Sequence, residues 1–130
     1  MSGKCLLILY IVSFVFFGLV ALVAPDTSAN LMNFSFTGPG ARMEFMAAYG
    51  GLMLGIAGYL FYCLNTSIRS GLVAVITIVG TLLAGRILGV FFDEGITSIQ
   101  TFFFTIEGLT MVLVGSHLIS NKPSATPAIA

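Results

Sequence analysis

The sequence is poor in charged residues, and this shortage indicates the class of protein. Only 8% of its 130 residues are Asp, Glu, Lys or Arg, whereas a soluble domain carries about 25%. Hydrophobic residues make up 58% of the chain, and the mean hydropathy is +1.08. This composition favours an integral membrane protein.

Residue types that build covalent or metal-bound sites are also scarce. The two cysteines, Cys5 and Cys63, are too few for a disulfide framework and lack the spacing of a metal site. The single histidine, His117, has no second ligand at a suitable spacing, so we expect no metal and no cofactor. Five basic residues balance five acidic ones without clustering, which argues against a nucleic-acid partner.

Long apolar runs are what the sequence does contain. Four of them have roughly the 20-residue length with which an α-helix crosses a bilayer. They cover residues 5–24, 43–64, 71–92 and 99–119. The sequence therefore predicts an all-α membrane protein, with one domain over residues 1–119 that forms a four transmembrane helix bundle of up-down topology.

The two ends of the chain require separate interpretation. A signal peptide would have an apolar core of about 7–15 residues followed by a small-residue cleavage site. The run at 5–24 is longer and Pro25 follows it directly, so an uncleaved first helix is favoured. Residues 120–130 are rich in Ser, Pro and Ala and are expected to form a disordered cytoplasmic tail.

The loops between the apolar runs differ in charge. Pro25 and Pro39 mark turns in the polar stretch 25–42, which is expected to be a loop at the membrane surface. Cations in loops mark the cytoplasmic side of a membrane protein, so both termini are predicted to be cytoplasmic. This orientation rests on two sets of charged residues. The predicted cytoplasmic side carries Lys4, Arg69 and Lys122, and the outer side carries Asp26, Asp93, Glu94 and a single cation, Arg42.

Two charged residues, Arg86 and Glu107, lie inside apolar runs. A charge in hydrocarbon is costly, is normally paired and is a functional-site hypothesis by default. At 1.5 Å of rise per residue, Arg86 lies about 9 Å and Glu107 about 12 Å inside the outer ends of their helices. The similar depths predict an ion pair. The pair is equally consistent with a structural role, in which it holds the two helices together, and with a polar pocket open to the outer face. A buried ion pair need not add net stability.

Other polar residues converge on the same outer half of the predicted bundle. Glu44 suits the positive end of a helix dipole, and Asp93 and Glu94 suit a solvated turn, so each also has a structural explanation. Their convergence nevertheless predicts one binding pocket. Its candidate residues are Arg86, Glu107, Glu44, Arg42, Tyr49, Asp93 and Glu94.

Small residues recur along the second and third apolar runs. Small residues spaced four apart lie on one helical stripe and let helix backbones approach closely in lipid. The stripes predict helix packing, either within the chain or against a partner membrane protein. The residues concerned are Ala47, Gly51, Gly55, Gly80, Ala84, Gly85 and Gly89.

With these motifs in this order, the sequence resembles the DUF4345 family over roughly residues 5–119. The resemblance rests on Arg42, the Tyr49-Gly50-Gly51-Leu52 motif, Gly85-Arg86, the acidic turn at 93–95, and Glu107. The usual turn in that family is Asp-Gly, whereas Glu94 stands between Asp93 and Gly95 here. The resemblance implies a small four-helix protein of the bacterial cytoplasmic (inner) membrane and supplies no activity.

Three functions remain open at this point. The first is binding of a lipid or small amphiphile in an outer-leaflet pocket between helices, with transport if the protein forms a homo-oligomer. The second is a structural or accessory subunit that packs against partner membrane helices. An enzyme is disfavoured because the sequence offers no nucleophile with a base, no metal ligand set and no phosphate-cradling loop. An exposed glycine face favours the second function, and a polar cavity at Arg86 favours the first.

Overall fold

The structure is a computed structural model that describes residues 2–92 and 95–121, and within them every regular element is helical. Six α-helices follow one another, with a π-helical segment at Met46–Gly51 between the third and the fourth. They are α1 (Gly3–Val23), α2 (Pro25–Leu31), α3 (Ala41–Phe45), α4 (Leu52–Thr66), α5 (Ile68–Gly89) and α6 (Ser98–Ser120). The expected tail lies mostly outside the described residues, since 122–130 are not among them.

Among the described residues, four helical stretches are long and apolar enough to cross a membrane: Gly3–Val23, Ala41–Thr66, Ile68–Gly89 and Ser98–Ser120. The second joins α3, the π-helical segment and α4 into one continuous stretch. The predicted all-α membrane protein with four transmembrane helices is thereby confirmed.

The beginning of α5 lies before the predicted residue 71. The helix begins at Ile68 because the side chain of Ser67 accepts a hydrogen bond from the backbone N–H of Ser70, which satisfies one of the unpaired donors of the first turn. At the other end α5 stops at Gly89, and residues 90–92 form a turn.

The stretch expected to be a surface loop contains a short helix, α2. Pro25 occupies its first turn, where the fixed φ of proline fits and the missing N–H is not needed. The hydroxyl of Ser28 donates to the carbonyl of Ala24 at 2.8 Å and ties α2 to the end of α1. The helix ends where Asn33 adopts a φ of 61°, and the Phe34 N–H donates to the Ala29 carbonyl in the pattern of a Schellman motif.

The main core lies where the four long helices meet. Its fully buried side chains are Leu7 of α1, Leu60 of α4, Leu72 and Val75 of α5, and Val114 of α6. The outward faces are apolar as well, as the exposure of Val12, Phe16 and Val112 shows. Lipid tails are as apolar as these side chains, so close packing rather than the hydrophobic effect holds such helices together.

Close packing within the chain depends on Gly71, which the predicted stripes did not include, and on Gly80, which they did. A Cβ on Gly71 would lie 2.9 Å from Cβ of Cys63, which brings α5 against α4. A Cβ on Gly80 would touch Met111 of α6 at 3.4 Å. By contrast, a Cβ on any of four predicted packing glycines would meet no other atom within 4 Å: Gly51, Gly55, Gly85 and Gly89. Ala47 and Ala84 are also exposed.

Candidate functional site

The site is built around an ion pair between α5 and α6. Nε of Arg86, in the last turn of α5, donates a hydrogen bond of 2.8 Å to Oε1 of Glu107, in the middle of α6. The Glu107 side chain is 7% exposed and that of Arg86 is 31% exposed. The two charges therefore neutralise each other where α5 and α6 pack together.

An aromatic ring covers the cationic member of the pair. Cζ of Arg86 lies 4.7 Å from the ring centroid of Phe103, within the range of a cation–π interaction. Phe103 stands four residues before Glu107 on α6, so both lie on one helical face. Its ring is 6.2 Å from that of Phe17 in α1, so α1 also supports the position of Arg86.

One oxygen of the buried carboxylate is without a partner. Oε2 of Glu107 makes no hydrogen bond to any residue that the structure describes. An unsatisfied buried polar group costs about 1–3 kcal/mol, and more when it is charged. This oxygen therefore needs a hydrogen-bond donor from water or from a ligand.

Nearby hydroxyl groups do not supply that donor. Tyr10 of α1 donates to Oγ1 of Thr110 at 2.8 Å, and Thr110 in turn donates to the carbonyl of Ile106 at 2.8 Å. Each hydroxyl has a single proton, and both are used in this chain. Tyr10 and Thr110 thus link α1 to α6 one turn from Glu107, and no pattern in the sequence predicted this link.

A small cavity adjoins the arginine. It has a volume of about 90 Å³, and liquid water occupies about 30 Å³ per molecule, so the cavity has room for about three waters. It lies between the end of α5 and the beginning of α6. The residues that line it are Arg86, Gly89, Val90, Gly95, Ile96, Gln100 and Phe104.

The other predicted pocket residues lie in a different part of the chain. Arg42 pairs with Oδ1 of Asp26 at 2.6 Å, and both side chains are more than half exposed. The ring of Tyr49 stacks on that of Phe45, with centroids 4.7 Å apart. Glu44 is exposed in the first turn of α3.

The candidate residues thus form two groups instead of one pocket. Within residues 2–92 and 95–121, no hydrogen bond, ion pair or aromatic contact joins Arg42, Glu44 or Tyr49 to Arg86 or Glu107. The reason is that α2 and the chain after it supply closer partners for Arg42 and Tyr49. Two further candidates, Asp93 and Glu94, lie outside the described residues.

Comparison with protein-family models matches most of the chain. A family model described as a domain of unknown function (DUF4345) matches residues 3–117. No curated protein matches the chain, and no solved structure does.

Proposed function

The chain belongs to the DUF4345 family, and from its structure we propose that it binds the polar head of a lipid or small amphiphile at Arg86 and Glu107. The observation that carries the proposal is the buried Oε2 of Glu107, which has no partner among the described residues, beside an arginine that lines a cavity. Intramembrane charges of this kind commonly mark ligand or ion sites.

The guanidinium can serve both the pair and a ligand. It carries five N–H donors in a planar fork, and one of these, at Nε, binds Glu107. Oxygen acceptors of a head group in the cavity would bind another edge of the same fork. A hydroxyl or amine of that head group would donate to Oε2 of Glu107 after a small side-chain movement. The pair carries no net charge, so the ligand need not be charged either.

The size of the cavity limits which part of the ligand enters. Pockets for whole drug-sized ligands measure about 300–1,000 Å³, several times the 90 Å³ found here. Only a polar head fits inside. The apolar chain would lie along exposed apolar residues that neighbour the cavity lining in sequence, among them Leu88, Phe91 and Phe92.

The proposal includes a membrane orientation. Lys4 and Arg69 lie at one end of the helices and line one cavity, and positive charge favours the cytoplasmic side. Both termini would then be cytoplasmic, the helices would alternate in direction, and the Arg86 cavity would face the outer leaflet. Residence in the bacterial inner membrane and transport by a homo-oligomer belong to the same proposal.

The test compares Glu107→Gln and Arg86→Gln with the wild type after extraction with native lipids. Mass spectrometry of co-purified small molecules is the measurement, and Arg42→Gln, which removes a cation elsewhere, is the matched control. We expect a bound amphiphile at near one per chain in the wild type and control, and at least a fivefold loss in the other two. An unchanged set of bound molecules in both folded variants would refute the proposal.

A second candidate function has its own observation. Gly51, Gly55 and Gly58 of the second span are exposed, and a Cβ on any of them would meet open space. A smooth stripe of this kind lets a helix of another chain approach closely. It supports an accessory subunit, whose partner would be a second membrane protein.

A further inference from the structure

A larger cavity lies at the end where α1 and α5 begin and α6 ends. Its volume is about 490 Å³, within the range of small-molecule sites. Arg69 and Arg86 are 17 residues apart on α5, about 25 Å along the helix axis. This basic cleft, which we define by Gly3, Lys4, Arg69, Leu72, His117 and Asn121, is therefore separate from the ion-pair site.

The lining of the basic cleft is rich in cationic and donor groups. Lys4 and Arg69 carry positive charge, and His117 adds an imidazole. No described acidic residue lines it: Asp26 and Glu44 belong to α2 and α3, and Glu107 lies ten residues from His117. The charge of this cleft is thus uncompensated by any carboxylate among the residues that the structure describes.

Arg69 is held in place by the end of α6. Its Nη1 donates to the carbonyls of Leu118 at 3.4 Å and of Asn121 at 3.1 Å. Both bonds use one nitrogen, so the Nε–Nη2 edge of the guanidinium remains for a ligand. That edge matches two phosphate oxygens in a bidentate arrangement.

The beginning of α1 also points to an anion. A Cβ on Gly3 would lie 2.8 Å from Nε2 of His117, so the missing side chain lets α1 start directly beside that imidazole. Ser2 makes no side-chain capping hydrogen bond to the first turn of α1. The N–H groups of that turn carry the positive end of the helix dipole, which favours bound phosphate.

We propose that the basic cleft binds a phosphate group through Lys4, Arg69 and His117. The phosphate is carried either by the head group of an anionic phospholipid or by a soluble ion. Ile68, Leu72 and Leu118 give the cleft apolar walls, against which the glycerol and first methylenes of a phospholipid would pack. Anionic leaflets attract basic pockets at helix ends in the same way.

The experiment uses the full chain in nanodiscs and measures the midpoint of thermal unfolding. The probes are phosphatidylglycerol at 30% in phosphatidylcholine, phosphatidylcholine alone, and inorganic phosphate added to phosphatidylcholine discs. The variants are Lys4→Gln with His117→Gln, and Arg69→Gln. Arg42→Gln removes one positive charge outside the cleft and serves as the control.

We expect phosphatidylglycerol to raise the midpoint of the wild type and of Arg42→Gln by several degrees. The Lys4→Gln/His117→Gln variant should lose at least two-thirds of that rise, and the rise should shrink in high salt because charge carries it. A shift with inorganic phosphate alone would identify a soluble ion as the source, and a shift with phosphatidylglycerol alone would identify the lipid. Either result supports the phosphate site.

Two results would overturn the inference. One is an equal midpoint in phosphatidylglycerol and phosphatidylcholine together with no response to phosphate. The other is a full response in the Lys4→Gln/His117→Gln variant. Lys4 is exposed and His117 is half-buried at a helix end, so this variant is expected to fold even if Arg69→Gln does not.

Discussion

Gly18 of α1 and Gly50 of the π-helical segment lie in backbone contact. A Cβ placed on Gly18 would come within 3.1 Å of the Gly50 carbonyl oxygen and within 3.0 Å of the Leu54 side chain. Both glycines are buried. The backbone of Gly50 cannot yield as a side-chain tip can, so the absence of a Cβ at Gly18 sets how closely α1 approaches the second span.

Replacing Gly18 by alanine should therefore destabilise the protein. We expect Gly18→Ala to lower the free energy of unfolding by about 1–3 kcal/mol, the usual range for overpacking a filled interior. Denaturant unfolding in detergent micelles is the measurement. Gly51→Ala is the matched control, because its Cβ would meet nothing within 4 Å; equal stability of the two variants would contradict the contact.

The Arg86–Glu107 pair should behave as one unit under charge exchange. Arg86→Glu and Glu107→Arg each place two like charges together in a half-buried site, so we expect each to lower the unfolding free energy by roughly 2–4 kcal/mol. The double exchange restores opposite charges and should recover at least half of the summed loss. A double-mutant cycle on the free energies of unfolding measures this, and strictly additive losses would show that the pair does not form in the membrane.

The hydrogen bond between Tyr10 of α1 and Thr110 of α6 should contribute less to stability than the Arg86–Glu107 pair. Hydrogen bonds between membrane helices contribute about 0.6 kcal/mol on average and up to about 1.7, so Tyr10→Phe should lower stability by about 0.5–1.5 kcal/mol. Thr105→Val is the control, since Thr105 is exposed and donates only to its own helix at Thr101. If Tyr10→Phe and Thr105→Val change stability equally, the link contributes nothing.

Much of this architecture could be predicted from the sequence because a bilayer imposes simple rules. A span needs about 20 apolar residues, so the four runs were visible directly. A charge inside a span needs a partner at similar depth, and Arg86 and Glu107 were the only such candidates in the two neighbouring runs. Both arguments depend on the membrane and need no knowledge of packing.

Which face of each helix points into the bundle could not be predicted in this way. Helical spacing shows that Ala47, Gly51 and Gly55 share a stripe, but not whether the stripe looks inward. In a soluble helix, polar residues mark the outer face, whereas here both lipid and core are apolar. The inward face carries Gly50, Ala57 and Leu60 instead.

The split of the candidate pocket has a local cause. The short helix α2 begins at Pro25 and is followed by Asn33 in a left-handed conformation. No periodic hydrophobic pattern in the sequence indicates how this segment folds. That segment brings Asp26 to Arg42 and Phe34 to Tyr49. The sequence predicts only the depth of Arg42 and Tyr49 in the membrane, and depth does not specify which residues they contact.

The exposed stripe of Gly51 and Gly55 gives the last prediction, which concerns a partner helix. Gly51→Leu adds bulk in open space, so we expect a free energy of unfolding within about 1 kcal/mol of the wild type, as for other substitutions away from packed sites. If a second chain packs on this stripe, the same substitution should remove it, since small residues permit that approach.

The measurement is native mass spectrometry of complexes released from membranes. Val112→Leu, at an exposed position of α6, is the control for added bulk on a lipid-facing surface. Loss of a complex with a second membrane protein in Gly51→Leu alone would support the accessory-subunit function and identify its surface. Complexes that survive unchanged in Gly51→Leu and in Gly55→Leu would exclude this stripe as the contact, and the ion-pair site would remain the proposed functional site.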